Sequence, residues 1–369
     1  MSLGLIVFSV LVVSGGADAS IAVNAGAKCS KSGAVSVSNK VSYVCTKVGG
    51  KLVWKARTSS VVDTTITTTV SSGVTQTTTA SLAVAQTIGK IKPSPLGATS
   101  GGPWETRMVL SVSTDGITFT GREVVMDQAG VPNIVVGSDG TIYSYYADWA
   151  NGGIMGVAIK NTSGTWSRYK LSIEGIQTNY TPCGACGVDP SAVVLSDGRI
   201  RVFWMQRLNG NRIYSATSSL GIGNGFIFKF DGGFAFETTK EIYDPTVVQT
   251  ATGWSMWVNI AASPTVEGTP TLLMSTDGLS FNETSSRSMF VASSVFPWGA
   301  ARTPSGTIRL MAQNKGLGGA FGVIYESTNG GVSYIQLASG KLPSGASPDA
   351  GIAYDSSRSI WYLVYLETM

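Results

Sequence analysis

From residue 108 onward the chain alternates short apolar runs with turns built from Gly, Asp, Ser and Pro. The clearest stretch is Val188-Asp189-Pro190-Ser191-Ala192-Val193-Val194-Leu195, a Ser196-Asp197-Gly198 turn, and Ile200–Trp204. Asp-Gly between two apolar runs predicts a β-hairpin. The pattern recurs at Val131-Pro132-Asn133, Tyr243-Asp244-Pro245, Phe296-Pro297-Trp298 and Ser347-Pro348-Asp349, each followed by a second apolar run. The prolines fall at 132, 190, 245, 297 and 348, in steps of 58, 55, 52 and 51. A repeat of that length made of paired strands predicts a β-propeller.

A second hairpin pattern interleaves with the first. Ser113-Thr114-Asp115-Gly116-Ile117-Thr118-Phe119 and Ser275-Thr276-Asp277-Gly278-Leu279-Ser280-Phe281 share S-x-D-G-x-x-F, and Ser327-Thr328-Asn329-Gly330-Gly331 and Asn161-Thr162-Ser163-Gly164 are weaker copies. These turns resemble the Asp-box (BNR) turns of sialidase-type propellers. The carboxylate suits backbone N–H donors in the turn, Gly suits its left-handed step, and the aromatic suits packing between sheets. The expected role is structural. With a barely recognisable fifth copy near Ser218, five hairpins of each kind stand in strict alternation, and the fold class is all-β, a five-bladed β-propeller. Strands A and B come from the proline hairpins, strands C and D from the Asp-box hairpins. The order starts on a C–D pair (108–126) and ends on an A–B pair (348–365). Those two are expected to complete one blade and close the ring without a free edge.

The chain ahead of the repeat differs in kind. Leu5–Val13 is apolar but too short to span a bilayer, and Ala17-Asp18-Ala19 resembles a cleavage site, so residues 1–19 read as a signal peptide. Residues 20–57 read as a small module in which a Cys29–Cys45 disulfide staples a unit with little core. This module resembles small Cys-pair modules at the start of secreted actinobacterial proteins. Residues 58–95, with Thr64–Thr69 and Thr77–Thr79, read as an extended linker. Residues 96–369 hold the propeller.

Charge changes the picture little. The formal net charge is +4. Residues 1–95 carry nine Lys/Arg against two acids, and residues 96–369 carry 17 against 20. The body is slightly acidic and offers no nucleic-acid groove. The basic module is a solvated face or a contact for an anionic wall polymer. The absence of His excludes Ser-His-Asp and Cys-His catalysis and His-based metal sites. No metal or other cofactor is implied. Cys183 and Cys186, in Thr181–Gly187, read as a local disulfide in an exported chain.

In a propeller, the D–A and B–C connections share one face with the starts of the A strands. On that face Asn133, Asp189, Asp244, Trp298 and Asp349 are expected to converge on the axis. The neighbouring loops add Asp148, Trp149, Tyr180, Arg207, Tyr243, Glu267 and Lys315. Asp-Pro at the start of an inner strand resembles the arabinanase/levansucrase/invertase superfamily, which includes the family 43 glycoside hydrolases. The resemblance implies an axial trio of carboxylates, with Asp189 and Asp244 at the Asp-Pro positions and Asp349 the remaining axial acid. Cleavage of a glycosidic bond needs one protonated and one ionised carboxyl group. The position of that family's general-acid Glu is Phe296-Pro297-Trp298 here, and a sialidase arginine triad is not matched. Two readings follow. One is a secreted, monomeric, glycoside hydrolase-like propeller acting on polysaccharide, with Asp189, Asp244 and Asp349 catalytic and Asn133, Asp148, Trp149, Tyr180, Arg207, Tyr243, Glu267 and Trp298 binding substrate. The other is a non-catalytic glycan- or protein-binding propeller displayed at the cell surface.

Overall fold

The computed structural model describes residues 24–32, 35–38, 41–56, 89–90, 92–97, 102–151, 154–176, 187–206, 211–221, 223–263, 268–283, 294–315, 320–339, 343 and 349–369. The signal-peptide reading, most of the linker, the Cys183–Cys186 pair, Tyr180, Arg207 and Glu267 lie outside these residues. The chain divides into two compact units, Met1–Ala80 and Ser81–Met369.

The first unit is an antiparallel sheet of β1 (Val35–Ser38), β2 (Val41–Val48) and β3 (Lys51–Ala56). Gly49 and Gly50 turn the chain between β2 and β3 with φ of 55° and 83°, where a side chain would be strained. Cys29 and Cys45 are disulfide-bonded, with Cα atoms 5.8 Å apart. Cys45 and Tyr43 are buried, so the bridge stands in for much of a hydrophobic core.

The second unit is the five-bladed propeller. The chain enters with β4 (Thr106–Ser113) and β5 (Thr120–Asp127). The next blade is β6 (Ala129–Val136), β7 (Ile142–Asp148), β8 (Ile154–Lys160) and β9 (Trp166–Lys170). A short β10 (Ser172–Glu174) precedes β11 (Val188–Val194), β12 (Ile200–Gln206), β13 (Asn211–Ser218), β14 (Ile227–Phe230) and β15 (Phe236–Thr238). The fourth blade is β16 (Glu241–Gln249), β17 (Trp254–Ala261), β18 (Thr269–Ser275) and β19 (Asn282–Glu283). The fifth is β20 (Val295–Arg302), β21 (Ile308–Asn314), β22 (Ala320–Ser327) and β23 (Ile335–Ser339). Last come β24 (Gly351–Asp355) and β25 (Ile360–Thr368). Strand β25 pairs antiparallel with β4, from Trp361 opposite Ser113 to Thr368 opposite Thr106, giving the sheet β24-β25-β4-β5. The two ends of the propeller thus share one blade, as the alternating hairpins predict.

The third blade departs from four strands. Its sheet has six, because β10 adds in parallel to β14 and β15 pairs with β13. Both additions are connecting chain laid along the outer strands, where free backbone groups wait for partners.

Radial sheets bury both faces, which accounts for the near-continuous apolar runs of the second strands, such as Trp254–Val258 and Trp361–Leu366. Five core clusters result, one between each pair of neighbouring blades. Trp204, Trp257, Tyr145 and Phe203 are fully enclosed in the blades that carry them. Each such side chain contributes about 1.5–3 kcal/mol by burial. Turn chemistry locks neighbouring blades. Asp115 accepts N–H bonds from Ile117 and Thr118 at 2.8 Å, and Asp277 accepts from Leu279 at 2.8 Å. Phe119 and Phe281, at the ends of these turns, are buried. Arg201 reaches from one blade to the carbonyls of Asp277 and Gly278, and Arg309 from another to the carbonyl of Asp115. Each arginine also lies over an indole, Arg201 over Trp254 and Arg309 over Trp361.

Candidate functional site

The site is built by a backbone irregularity repeated on the inner strands. Pairing of β6 with β7 skips between Gly130 and Asn133, of β11 with β12 between Val188 and Ser191, and of β16 with β17 between Tyr243 and Thr246. Each skip contains an X-Pro pair: Val131-Pro132, Asp189-Pro190 and Asp244-Pro245. Proline has no N–H for the ladder, so a bulge forms there. The residue before it takes a left-handed backbone, with φ of 44° at Val131, 53° at Asp189 and 52° at Asp244. Asp349 adopts the same conformation, φ 69°, immediately before Ala350 and β24.

Counting back three residues from Ile134, Ala192, Val247, Ala300 and Ile352, which line the axial channel together, the step occupied by Asp189 is held by Val131, Asp244, Pro297 and Asp349 in the other blades. Pro297 is therefore offset by one residue, and Pro348 by two, from the prolines of the other three blades. Val131, Asp189, Asp244 and Asp349 line one small cavity of 20 Å³, together with Pro132, Pro190, Pro245 and Trp298. The three expected axial aspartates thus meet at one end of the propeller axis. Asp189 and Asp244 stand on neighbouring blades, and Asp349 is one blade removed from either, since β11 contacts β16, β20 lies between β16 and β24, and β6 lies between β24 and β11.

One step further in, the inner strands are tied to each other. The Asn133 Oδ1 accepts the Ala192 N–H at 3.0 Å, the Ser191 Oγ accepts the Val247 N–H at 3.0 Å, and the Thr246 Oγ1 donates to the Pro297 carbonyl at 3.1 Å. The remaining two blades have Gly299 and Gly351 at this step. A Cβ on Gly351 would stand 2.9 Å from the Asn133 Cα, and one on Gly299 would stand 2.8 Å from the Ala350 carbonyl oxygen. Only glycine lets those strands approach. This waist holds the carboxylate ring rigid from below. Asn133 belongs to it, and the ring position in its own blade is Val131.

The carboxylates sit in unequal surroundings. Burial pushes the Asp349 carboxyl up to about 7, with the nearby Asp244 carboxylate adding to the rise. Burial also raises Asp244, opposed by the Asn259 Nδ2–H bond at 2.9 Å and by the Lys315 ammonium. Lys315 lies over the Phe296 ring, its Nζ 4.3 Å from the centroid. Asn259 was not singled out by its sequence. Its signal was present as a lone amide in the run Met256–Ala261, which is otherwise apolar.

The other expected binding residues stand apart from this ring. Asp148 ends β7 with its carboxylate enclosed, bonded to the Asn151 N–H at 3.0 Å and Nδ2–H at 2.9 Å, and burial raises its pKa. Trp149 packs edge-on against Trp104, with centroids 5.5 Å apart. Tyr243, paired with Asn259 on the next strand, sits beside Asp244 and packs against the core between the third and fourth blades. Among the described residues, no group of three or more Asp, Glu, Cys or His is close enough to hold a metal ion.

No protein-family model matches the chain, and no curated protein matches it. Solved structures do resemble it. A protein of unknown function from Dyadobacter fermentans has a TM-score of 0.47 at 15% identity, with 71% of this chain and 84% of that one covered. An α-L-arabinanase of Penicillium chrysogenum, solved with arabinobiose, gives 0.42 at 12%, covering 68% and 75%. A thermostable family-43 glycoside hydrolase gives 0.40 at 12%, covering 59% and 78%. At scores this low the likenesses carry no argument about this chain's chemistry.

Proposed function

We propose that the protein is an exported, carbohydrate-active propeller that takes a polysaccharide at its carboxylate ring and hydrolyses a glycosidic bond there. The observation that carries this reading is the placement of Asp189, Asp244 and Asp349 on equivalent left-handed steps around one cavity. A ring of buried carboxylates is costly for a scaffold, since Asn or Gly would fit the same backbone without a charge. Val131 shows that the bulge does not need a carboxylate.

Asp349, protonated near neutral pH, donates to the leaving-group oxygen as the C–O bond breaks. A carboxylate of the adjacent Asp189–Asp244 pair takes the proton of the water that attacks the anomeric carbon. Lys315 and Asn259 favour the ionised form of Asp244 and keep the two roles apart. Trp298 borders the ring cavity while packing into the core between the fifth and first blades. Export accords with the apolar stretch Leu5–Val13 and the Cys29–Cys45 bridge. The protein acts as a monomer without nucleic acid. No helix among the described residues is long and apolar enough to cross a membrane.

A second reading is a glycan-binding propeller without catalysis. It is favoured by Pro297, which leaves the ring without a Glu on the fifth blade. The test is a glycan-panel hydrolysis assay on wild type and on Asp189→Asn, Asp244→Asn and Asp349→Asn. Asn tolerates the left-handed backbone, so each variant removes charge and spares the fold. Hydrolysis lost in the variants supports the enzyme. Saturable glycan binding with no turnover by wild type leaves the binding reading, and neither binding nor turnover overturns both.

A further inference from the structure

A larger cavity, of 470 Å³, lies along the same axis toward the A–B turns, the end opposite the carboxylates. Its volume is in the range that holds small organic ligands, about 300–1,000 Å³. Five residues mark its mouth, each three residues beyond the waist residues Asn133, Ser191, Thr246, Gly299 and Gly351. Val136 pairs with Ile142, Val194 with Ile200, Gln249 with Trp254, Arg302 with Ile308 and Tyr354 with Trp361. All five line the cavity.

Their arrangement around the axis is not random. Gln249, Arg302 and Tyr354 come from three consecutive blades, because β16 contacts β20 and β20 contacts β24. Val136 and Val194 come from the two remaining blades, which contact each other through β6 and β11. At this level the cavity therefore has a polar arc and an apolar arc, with Ser138 and Ser196 beyond the two valines toward the turns. The polar arc combines an amide, a guanidinium and a phenol. Among the described residues the Arg302 side chain forms no ion pair or hydrogen bond. The cavity lining contains no acidic residue, and Arg302 is its one charged member. Deeper in, the lining is Ile134, Ala192, Val247, Ala300 and Ile352. An unopposed guanidinium at the rim of an apolar chamber suits a planar anion carried on an apolar body.

We propose that this cavity is a binding site for a small organic monocarboxylate. Its carboxylate rests on Arg302 between Gln249 and Tyr354, and its aromatic or aliphatic body lies against Val136 and Val194. The site is separate from the carboxylate ring. Along one inner strand, Val131 and Val136 are five residues apart, about 17 Å of extended chain. A monoanion is accepted at the arginine end and repelled at the aspartate end.

The test is isothermal titration of the full chain with 2-naphthoate and octanoate, and with 2-naphthamide as the neutral counterpart. The expected result is one saturable site for at least one of the acids, with 2-naphthamide at least tenfold weaker than 2-naphthoate if the aromatic acid is the one bound. Arg302→Gln should abolish the preference for charge with an unchanged melting temperature, since Arg302 is exposed and unpaired. Val194→Lys, placed on the apolar arc, should weaken the acids through the body of the ligand. The proposal is overturned if neither acid binds, if naphthoate and naphthamide bind equally, or if Arg302→Gln leaves acid affinity intact.

Discussion

Val131 and Asp189 occupy the same step of neighbouring inner strands, with φ of 44° and 53° and a proline after each. Aspartate visits left-handed backbone with tolerable strain, but a β-branched valine does so as an outlier. The conformation is therefore imposed by the bulged inner strand and the closing of the ring, whatever side chain it carries.

Replacing Val131 by Asn should accordingly stabilise the propeller. The left-handed strain is on the order of 1–3 kcal/mol, and Asn relieves part of it with a side chain of similar size. A net gain of about 1 kcal/mol is expected, read as a rise in melting temperature. Asp189→Val, the reverse exchange on the next blade, should lower it. An unchanged or lower melting temperature for Val131→Asn would show that the valine is not strained at this step.

The pH dependence of stability has two windows of opposite sign. Asp349 is raised from 3.8 to about 7 in the folded chain, so the native state holds a proton that the unfolded state has released. Stability conferred by this group is greatest at low pH and falls as pH rises from about 4 to 7. Asp115 is lowered to about 2 by the Thr118 and Ile117 N–H bonds and by Ser113. Its contribution is present above about 4 and is lost as pH falls toward 2. Urea melts across pH should show the downward slope above pH 4, and Asp349→Asn should flatten it. A slope that survives in Asp349→Asn would assign it to another group.

The blade count and the closure were legible in the chain because both hairpin types repeat. Asp-Gly turns and alternating apolar runs are local signals, and pairing of the first C–D hairpin with the last A–B hairpin follows from their order. The ring position was only partly legible. The sequence reading put Asn133 and Trp298 with Asp189 at the axis; Trp298 does line the ring cavity, whereas in its own blade Asn133 lies two residues past Val131, which holds that step. A bulge adds a residue to one strand only, so the register before the turn differs between blades while the register after it agrees. The polar and apolar arcs of the large cavity depend on that register and could not be read from the repeats. Asp148 and Trp149 were recognised as chemistry-bearing residues in a loop, yet their contacts with Asn151 and Trp104 depend on packing that spacing does not encode.

Arg309 and Arg201 should behave as equivalent clamps between blades. Arg201 bonds two carbonyls of an Asp-Gly turn and Arg309 one, each with an indole beneath its guanidinium. Arg309 also pairs with Glu326 at 2.8 Å. Arg309→Met keeps the apolar stem and should cost roughly 1–3 kcal/mol, with Arg201→Met costing a similar amount. The two sites lie on different blade interfaces, so the double variant should be additive. A Lys at either position should recover only part of the loss, because an ammonium cannot hold the turn carbonyl and the carboxylate partner (Glu326 for Arg309, Asp231 for Arg201) while lying flat on the ring.

Reduction should separate the two units. The Cys29–Cys45 bridge spans 16 residues, and closing a loop of that length is worth about 3 kcal/mol. The small sheet has few other buried side chains, so its loss should free the strand backbone at Lys47, Lys51 and Lys55, whose side chains are already exposed, for cleavage by trypsin. The propeller has no disulfide among its described residues and should keep its melting transition. Mass spectrometry of a short trypsin digest, with and without reductant, distinguishes the outcomes. Resistance of the 47–55 segment after reduction would mean that the sheet holds without its bridge.

If the carboxylate ring hydrolyses glycosides, the identity of the acid is written in the alkaline limb of the rate profile. Asp349 must carry a proton to act, so kcat should fall as pH rises through about 7, where its carboxyl ionises. Lys315→Met removes the charge that lowers Asp244. Asp244 should then hold its proton to higher pH, which moves the acid limb upward and narrows the profile from below. Asp189→Asn should depress kcat without moving the alkaline limb. An alkaline limb that vanishes in Asp189→Asn but survives in Asp349→Asn would move the acid role from Asp349 to Asp189. A substrate with a leaving group that needs no protonation, such as a dinitrophenyl glycoside, should be hydrolysed by Asp349→Asn with most of the lost rate restored. Failure of that rescue would show that Asp349 acts in binding or in positioning rather than as the proton donor.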